Sequence, residues 1–150
     1  MYKRILVPTD GSDTADAGLR EACKLAREDG AQLRVVHVVD ELLTMPPEFY
    51  GTAFDQLTES VRKAGASLLA HAEKVAREQG VTVETELIEA MGSPAGDHII
   101  KAAKAWSADL IVCGTHGRRG LRRIVMGSDA EYIVRNTTVP VLLIRKDGRQ

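Results

Sequence analysis

The sequence predicts an open, mostly parallel α/β sheet of five strands with helices on both faces, a Rossmann-like architecture. Three observations carry this reading. Short β-branched runs recur along the chain, stretches with helical periodicity alternate with them, and most of the short runs are apolar throughout. A strand covered on both faces by crossover helices has that last property, whereas a strand with one wet face alternates. The chain has 150 residues, 44% of them hydrophobic and 27% charged. That is enough for a single domain over residues 1–150 with a full core. Internal repeats, low-complexity segments and linkers are absent from the sequence.

The strand candidates are 4–9 (RILVPT), 33–39 (LRVVHVV), 81–88 (VTVETELI), 109–114 (DLIVCG) and 139–144 (VPVLLI). The third alternates, with Val81, Val83, Thr85 and Leu87 on one face and Thr82, Glu84 and Glu86 on the other, which suits a sheet edge. Ala15, Leu19, Ala22, Cys23 and Ala26 share one helical face, and Gly30 falls where a helix cap belongs. Val61, Gly65, Leu68, Leu69, Ala72, Val75 and Ala76 repeat the pattern up to Gly80. Ser93-Pro94 reads as an N-cap with proline in the first turn, followed by Ile99, Ile100, Ala103 and Trp106. Ser128 to Glu131 reads as a capping box, S-x-x-E, opening a helix through Arg135. The segment 40–56, with two prolines, is read as an irregular excursion: a lid or a partner surface.

The formal net charge is −1, so no overall field recruits nucleic acid or an anionic membrane. Two cysteines without CxxC spacing suggest a reducing compartment. The opening MYKRILVPTD is broken by Pro8 and Asp10 too soon for a signal peptide, and no apolar run nears the ~20 residues that span a bilayer. A soluble cytoplasmic protein is expected.

Ligands of open α/β sheets sit beyond the carboxyl ends of the strands, where the strand order reverses. Two strand ends carry suitable residues: Pro8-Thr9-Asp10-Gly11-Ser12 after the first strand, and Gly114 after the fourth. From Gly114 the chain runs GTHGRRGLRRIVMGSDA. Gly114, Gly117, Gly120 and Gly127 can adopt positive φ and let N–H groups approach an anion without a Cβ in the way. Ser128 adds a hydroxyl and a helix start, and Arg118 and Arg119 add charge-assisted donors. Arg122 and Arg123 are read as solvated loop charges. Known phosphate motifs do not fit: no Gly-Lys pair exists for a P-loop, and Gly114, Gly117 and Gly120 give GxxGxxG rather than GxGxxG.

Gly114-x-x-Gly117, nine residues, then Gly127-Ser128 resembles the G-x2-G-x9-G-[ST] signature of the universal stress protein family. ILVPTDGSDTADAGLREACKLA, VVHVVD and GSDAEYIVRNTTVPVLLIR are similar to that family too, so the likeness spans all but 40–56. The resemblance implies strand order 3-2-1-4-5 and an ATP site with Mg²⁺ or Mn²⁺ on the phosphates, ADP or AMP being alternatives. By position, Pro8, Thr9 and Asp10 would flank adenine and ribose, and Val38 would meet the adenine partly through its backbone. Gly114, Thr115, His116, Gly117, Arg118, Arg119 and Gly120 would wrap ribose and phosphates. Gly127, Ser128, Asp129 and Ala130 would hold phosphates. Asp129 departs from the family, which commonly has an apolar residue there. A carboxylate beside phosphates repels them unless it points outward or meets the metal.

The resemblance also implies a homodimer through the last strand, whose apolar edge at 139–144 needs covering. The function expected is a nucleotide-dependent stress sensor or regulator acting on an unidentified protein partner, without nucleic acid or membrane. A nucleotide-free interaction module of the same fold and a slow ATPase are the alternatives, with Asp129 or His116 positioning water in the latter. No catalytic set is identifiable, and an enzyme is the lesser expectation. His116 is a phosphate donor or an exposed loop histidine. Asp10 is read as a binding or turn-capping residue and His37 as a satisfied core residue. His71 and His98 lack metal-ligand spacing, and Cys23 and Cys113 are read as packing.

Overall fold

The computed structural model describes residues 1–39, 48, 51–116 and 126–146. Its elements follow in the order β1 (Arg4–Pro8), α1 (Asp13–Asp29), β2 (Gln32–Val39), α2 (Thr52–Glu78), β3 (Val83–Glu89), α3 (Ala95–Ala105), β4 (Leu110–Gly114), α4 (Ser128–Asn136) and β5 (Val141–Ile144). All five strands are parallel and lie in the order β3-β2-β1-β4-β5. The alternating strand therefore is an edge, as its pattern predicts, and β5 is the other edge.

Helix placement follows from the strand order. The chain steps outward from β1 to β3, then returns past β1 to β4 and steps the other way. Crossovers of constant hand must change sheet face when the direction of stepping changes. Accordingly α1 and α2 supply one core, with Leu19, Cys23, Leu69 and Val75 against Ile5, Val7, Val35 and Val112. The opposite face packs α3 and α4, through Ile99, Ile100 and Ile133, against Leu6, Val36 and Ile111. Neighbouring residues such as Ile5 and Leu6 point to opposite cores, which is why these strands read as continuous apolar runs. A fully buried leucine such as Leu19 contributes about 1.5–3 kcal/mol.

Local chemistry ends these helices largely as expected. Ser12 caps α1, its Oγ accepting from the Ala15 N–H at 3.1 Å, and Gly30 closes the helix at φ 67°. Two predicted caps shift. Ser93 does not cap α3: Pro94 occupies that position, and Ser93 Oγ lies 3.0 Å from His98 Nε2 instead. Helix α2 begins at Thr52, so the last five residues of the predicted 40–56 excursion are helical. Residues 40–47, 49 and 50 lie outside the described residues.

Two glycines let the helices approach the sheet. A Cβ on Gly65 would fall 2.7 Å from Leu87 Cδ1 and 3.1 Å from His37 Cδ2, so this position sets how closely α2 lies on β2 and β3. A Cβ on Gly114 would meet the Thr14 backbone at 2.9 Å, where the first turn of α1 crosses the end of β4. Backbone cannot swing aside as a side-chain tip can, so we expect Gly114→Ala to destabilise the protein by about 1–3 kcal/mol, read from the midpoint of a urea unfolding curve at constant m-value.

Candidate functional site

The seam between β1 and β4 is where the strand order reverses, and the ladder across it is short. β1 pairs with β2 through Pro8↔Val36, and β4 pairs with β5 through Gly114↔Ile144, but β1 and β4 pair only at Ile5↔Leu110 and Leu6↔Ile111. Proline explains the stop. The Thr9 N–H donates to Val36 on β2 at 2.8 Å. Successive N–H groups of a strand alternate sides, so the donor of residue 8 belongs on the β4 side, and Pro8 has none. Beyond that point the two strand ends run on without pairing and leave a crevice.

On the β1 rim, Thr9 is buried and Asp10 organises a turn. The Asp10 Oδ1 accepts from the Ser12 N–H at 2.9 Å, the Thr9 Oγ1 accepts from the Gly11 N–H at 3.3 Å, and Gly11 sits at φ 78°. Asp10 thus acts as a turn-capping residue, one of its two predicted roles. The Thr9 carbonyl accepts from Nδ1 of His37 at 2.8 Å, which fits the reading of His37 as satisfied. Val38 follows on β2. Its N–H and C=O point to the same side as those of Val36, past the last β1 pair, and so toward the crevice.

On the β4 rim, Thr115 is the anchor. Its N–H donates to Ile144 on β5 at 2.9 Å, and its carbonyl accepts from the Gly127 N–H at 2.6 Å, tying the start of α4 to the end of β4. The buried Thr115 hydroxyl lies 2.8 Å from His116 Nδ1. His116 is half-buried rather than exposed, and its Nε2 is buried with no partner among the described residues.

The predicted capping box is not formed. Gly127 is the N-cap of α4, Ser128 is already helical and exposed, no side chain caps the helix, and Glu131 pairs with Arg135 at 2.7 Å. Ser128, Asp129 and Ala130 therefore present first-turn N–H groups that a helix itself cannot satisfy. The Ala130 side chain is buried, so only its backbone can serve a ligand. Neither described glycine of the loop uses its freedom to adopt positive φ. Gly127 has φ −61°, and Gly114 is absent from the positive-φ glycines (11, 30, 80 and 92) because its role is the close contact with Thr14. Gly117, Arg118, Arg119 and Gly120, with Arg122 and Arg123, lie outside the described residues.

The structure thus brings Pro8, Thr9, Asp10 and Val38 to one rim and Gly114, Thr115, His116 and Gly127–Ala130 to the other. Sequence reasoning missed the strand-splitting effect of Pro8 and the link from His37 to Thr9. A proline at the carboxyl end of a central strand was the available signal for the first. Both cysteines are buried packing residues. Burial pushes the Cys113 thiol up to about 11 and raises Cys23 against the lowering effect of Arg27 and Arg20. No cluster of three His, Cys, Asp or Glu suited to a metal occurs among the described residues. None of the described helices is long and apolar enough to cross a membrane.

An open parallel sheet whose order reverses between β1 and β4 defines a doubly wound α/β protein, an architecture whose ligands sit outside the carboxyl ends of the strands at the switch point. The universal stress protein family profile matches residues 1–145. A universal stress protein of Methanocaldococcus jannaschii is 36% identical over the whole of this chain and 86% of its own length. YxiE, a universal stress protein of Bacillus subtilis, is 34% identical over 97% of this chain and all of its own. The chain belongs to the universal stress protein family. Among solved structures, UspA from Lactobacillus plantarum superposes with a TM-score of 0.84 at 27% identity, covering 96% of this chain and 98% of its own. Two others carry nucleotides: a universal stress protein in complex with cAMP (TM-score 0.70, 25% identity, 95% of this chain and 96% of that one) and one from Archaeoglobus fulgidus in complex with dAMP (0.65, 26%, 95% and 98%).

The two serines at helix starts have different duties, and unfolding experiments should separate them. Ser12→Ala removes the cap of α1 and is expected to cost about 1 kcal/mol. Ser128→Ala removes no cap and is expected to leave thermal stability unchanged or slightly raised.

Proposed function

We propose that this universal stress protein binds ATP in the β1–β4 crevice and acts in the cytoplasm as a homodimeric, nucleotide-dependent regulator of a stress response through a protein partner. The observation that carries the reading is the end of β2. There the Val38 N–H and C=O face the crevice as an adjacent donor and acceptor, the complement of the adenine edge, which offers an acceptor nitrogen and an amino donor. Opposite them, the first turn of α4 supplies amides and a favourable dipole for phosphates. The cAMP and dAMP complexes of related structures support an adenine nucleotide as the ligand class.

Pro8, Thr9 and Asp10 would border the base and ribose. Gly114, Thr115, His116 and the segment Gly117–Gly120 would border ribose and phosphates, and Gly127, Ser128, Asp129 and Ala130 would hold the phosphates. The donor set suits a nucleotide, and Mg²⁺ or Mn²⁺ would be held chiefly by the phosphates, where it supplies charge neutralisation. Titration calorimetry with ATP, ADP, AMP and cAMP in the presence of Mg²⁺ tests this. Micromolar ATP binding is expected, weakened roughly ten- to a hundredfold in Ser128→Ala, since a hydrogen bond to a charged group is worth about 1.5–3 kcal/mol. Absence of heat and of any thermal shift at millimolar ATP would overturn the assignment and favour a nucleotide-free interaction module.

Homodimerisation is supported by β5. Its four residues, Val141 to Ile144, are apolar, half-exposed and at the sheet edge. The Ile111 N–H donates to Pro140 and the Thr115 N–H to Ile144, so even-numbered β5 residues face β4 and Leu143 directs its N–H outward. Leu143→Pro removes that outward donor and leaves the inward ladder intact. Analytical ultracentrifugation should show a dimer for the unmodified chain and a monomer with unchanged circular dichroism for the variant.

A further inference from the structure

We propose that His37 is a positioning residue for the adenine edge: its ring takes the Thr9 carbonyl and thereby releases the Val38 N–H from the sheet. This inference rests on the nucleotide reading above. In a regular parallel ladder the Thr9 carbonyl, next in register after Pro8↔Val36, would accept from the Val38 N–H. The first half of that step is present, since the Thr9 N–H donates to the Val36 carbonyl at 2.8 Å. The second half is replaced by a side chain, with His37 Nδ1 at 2.8 Å from the Thr9 oxygen. A carbonyl only accepts, so Nδ1 carries the proton in this contact. Among the described residues the Val38 N–H meets no backbone acceptor in this ladder, although the strand end that would have taken it is in place.

The ring is held where it can do this. His37 packs under α2 at Gly65, where even a Cβ would come within 3.1 Å of its Cδ2 and 3.6 Å of its Nε2. The glycine leaves room for the imidazole between α2 and the sheet, and the ring reaches back over β2 to the end of β1. One side chain so accomplishes two things: it anchors the rim residue Thr9, and it keeps the donor of Val38 pointed at the crevice. A purine nitrogen would give this N–H the acceptor that the ladder does not.

The test compares His37→Leu with His37→Asn, because the asparagine amide nitrogen occupies the place of Nδ1 and can donate to the same carbonyl. Calorimetric titrations use Mg-ATP and, as a base-free probe, Mg-tripolyphosphate. Amide exchange of Val38 is followed by NMR in the nucleotide-free protein. We expect His37→Leu to weaken ATP at least tenfold while tripolyphosphate binding stays within a factor of two. His37→Asn should recover ATP binding to within about threefold of the unmodified chain. The Val38 amide should exchange at least tenfold more slowly in His37→Leu, having rejoined the Thr9 carbonyl. Equal ATP affinity in all three proteins, equal losses in both variants, or a parallel fall in tripolyphosphate binding would overturn the role. Unchanged Val38 exchange would overturn the exchange of partners itself. No ATP binding by the unmodified chain would overturn the nucleotide reading and this role with it, a result distinct from the others.

Discussion

A backbone hydrogen bond that cannot form governs this molecule. β1 sits at the centre of the sheet and owes donors to both neighbours, but Pro8 withholds the one directed at β4. The ladder on that side ends after Leu6↔Ile111, while those on either side continue to the strand ends. A central parallel strand is the place where such a loss costs most, since both flanks are covered and water cannot substitute. Here it lies at the end of the strand and at the point where the chain reverses its direction of travel through the sheet. The crevice is a product of that coincidence.

Once the strands separate, their ends need other fixings, and two buried threonines provide them. Thr9 is held from the β2 side through both backbone groups, one by Val36 and one by the His37 ring. Thr115 is held from the β5 side through its N–H and passes its carbonyl to the start of α4. Each rim therefore belongs to the half of the sheet behind it. α1 bridges the two halves, packing on strands of both and setting its first turn against Gly114 at the end of β4.

The fold was legible because its signals are periodic and local. Apolar runs, helical stripes and glycines at helix ends each follow from one element at a time, and the strand boundaries agree to within two residues. The site was less legible because its geometry is set between elements. Gly127-Ser128 followed by Glu131 has the composition of a capping box. The helix nevertheless starts with glycine at the cap, because the Gly127 N–H is fixed by Thr115, twelve residues earlier in the chain. Gly114 looked like a flexible joint and is a point of tight packing, which only the position of Thr14 reveals. His37 was correctly expected to be satisfied, but its partner on another strand could not be named from spacing. The glycine-arginine stretch 117–120 was read from composition alone.

The two edges of the sheet differ in kind. β3 carries Glu84, Glu86 and Glu89, engaged with Arg34 and Arg62 and with Arg34 stacked 4.7 Å from the Trp106 ring centre. β5 presents an unbroken apolar strand. Charge on an outermost strand deters a further strand from adding, whereas a bare apolar one invites it. A sheet built this way can extend in one direction only. Were two such apolar edges to meet, as the proposed dimer requires, the contact would close on itself, and a sheet otherwise able to grow into a continuous ribbon would be capped at a pair.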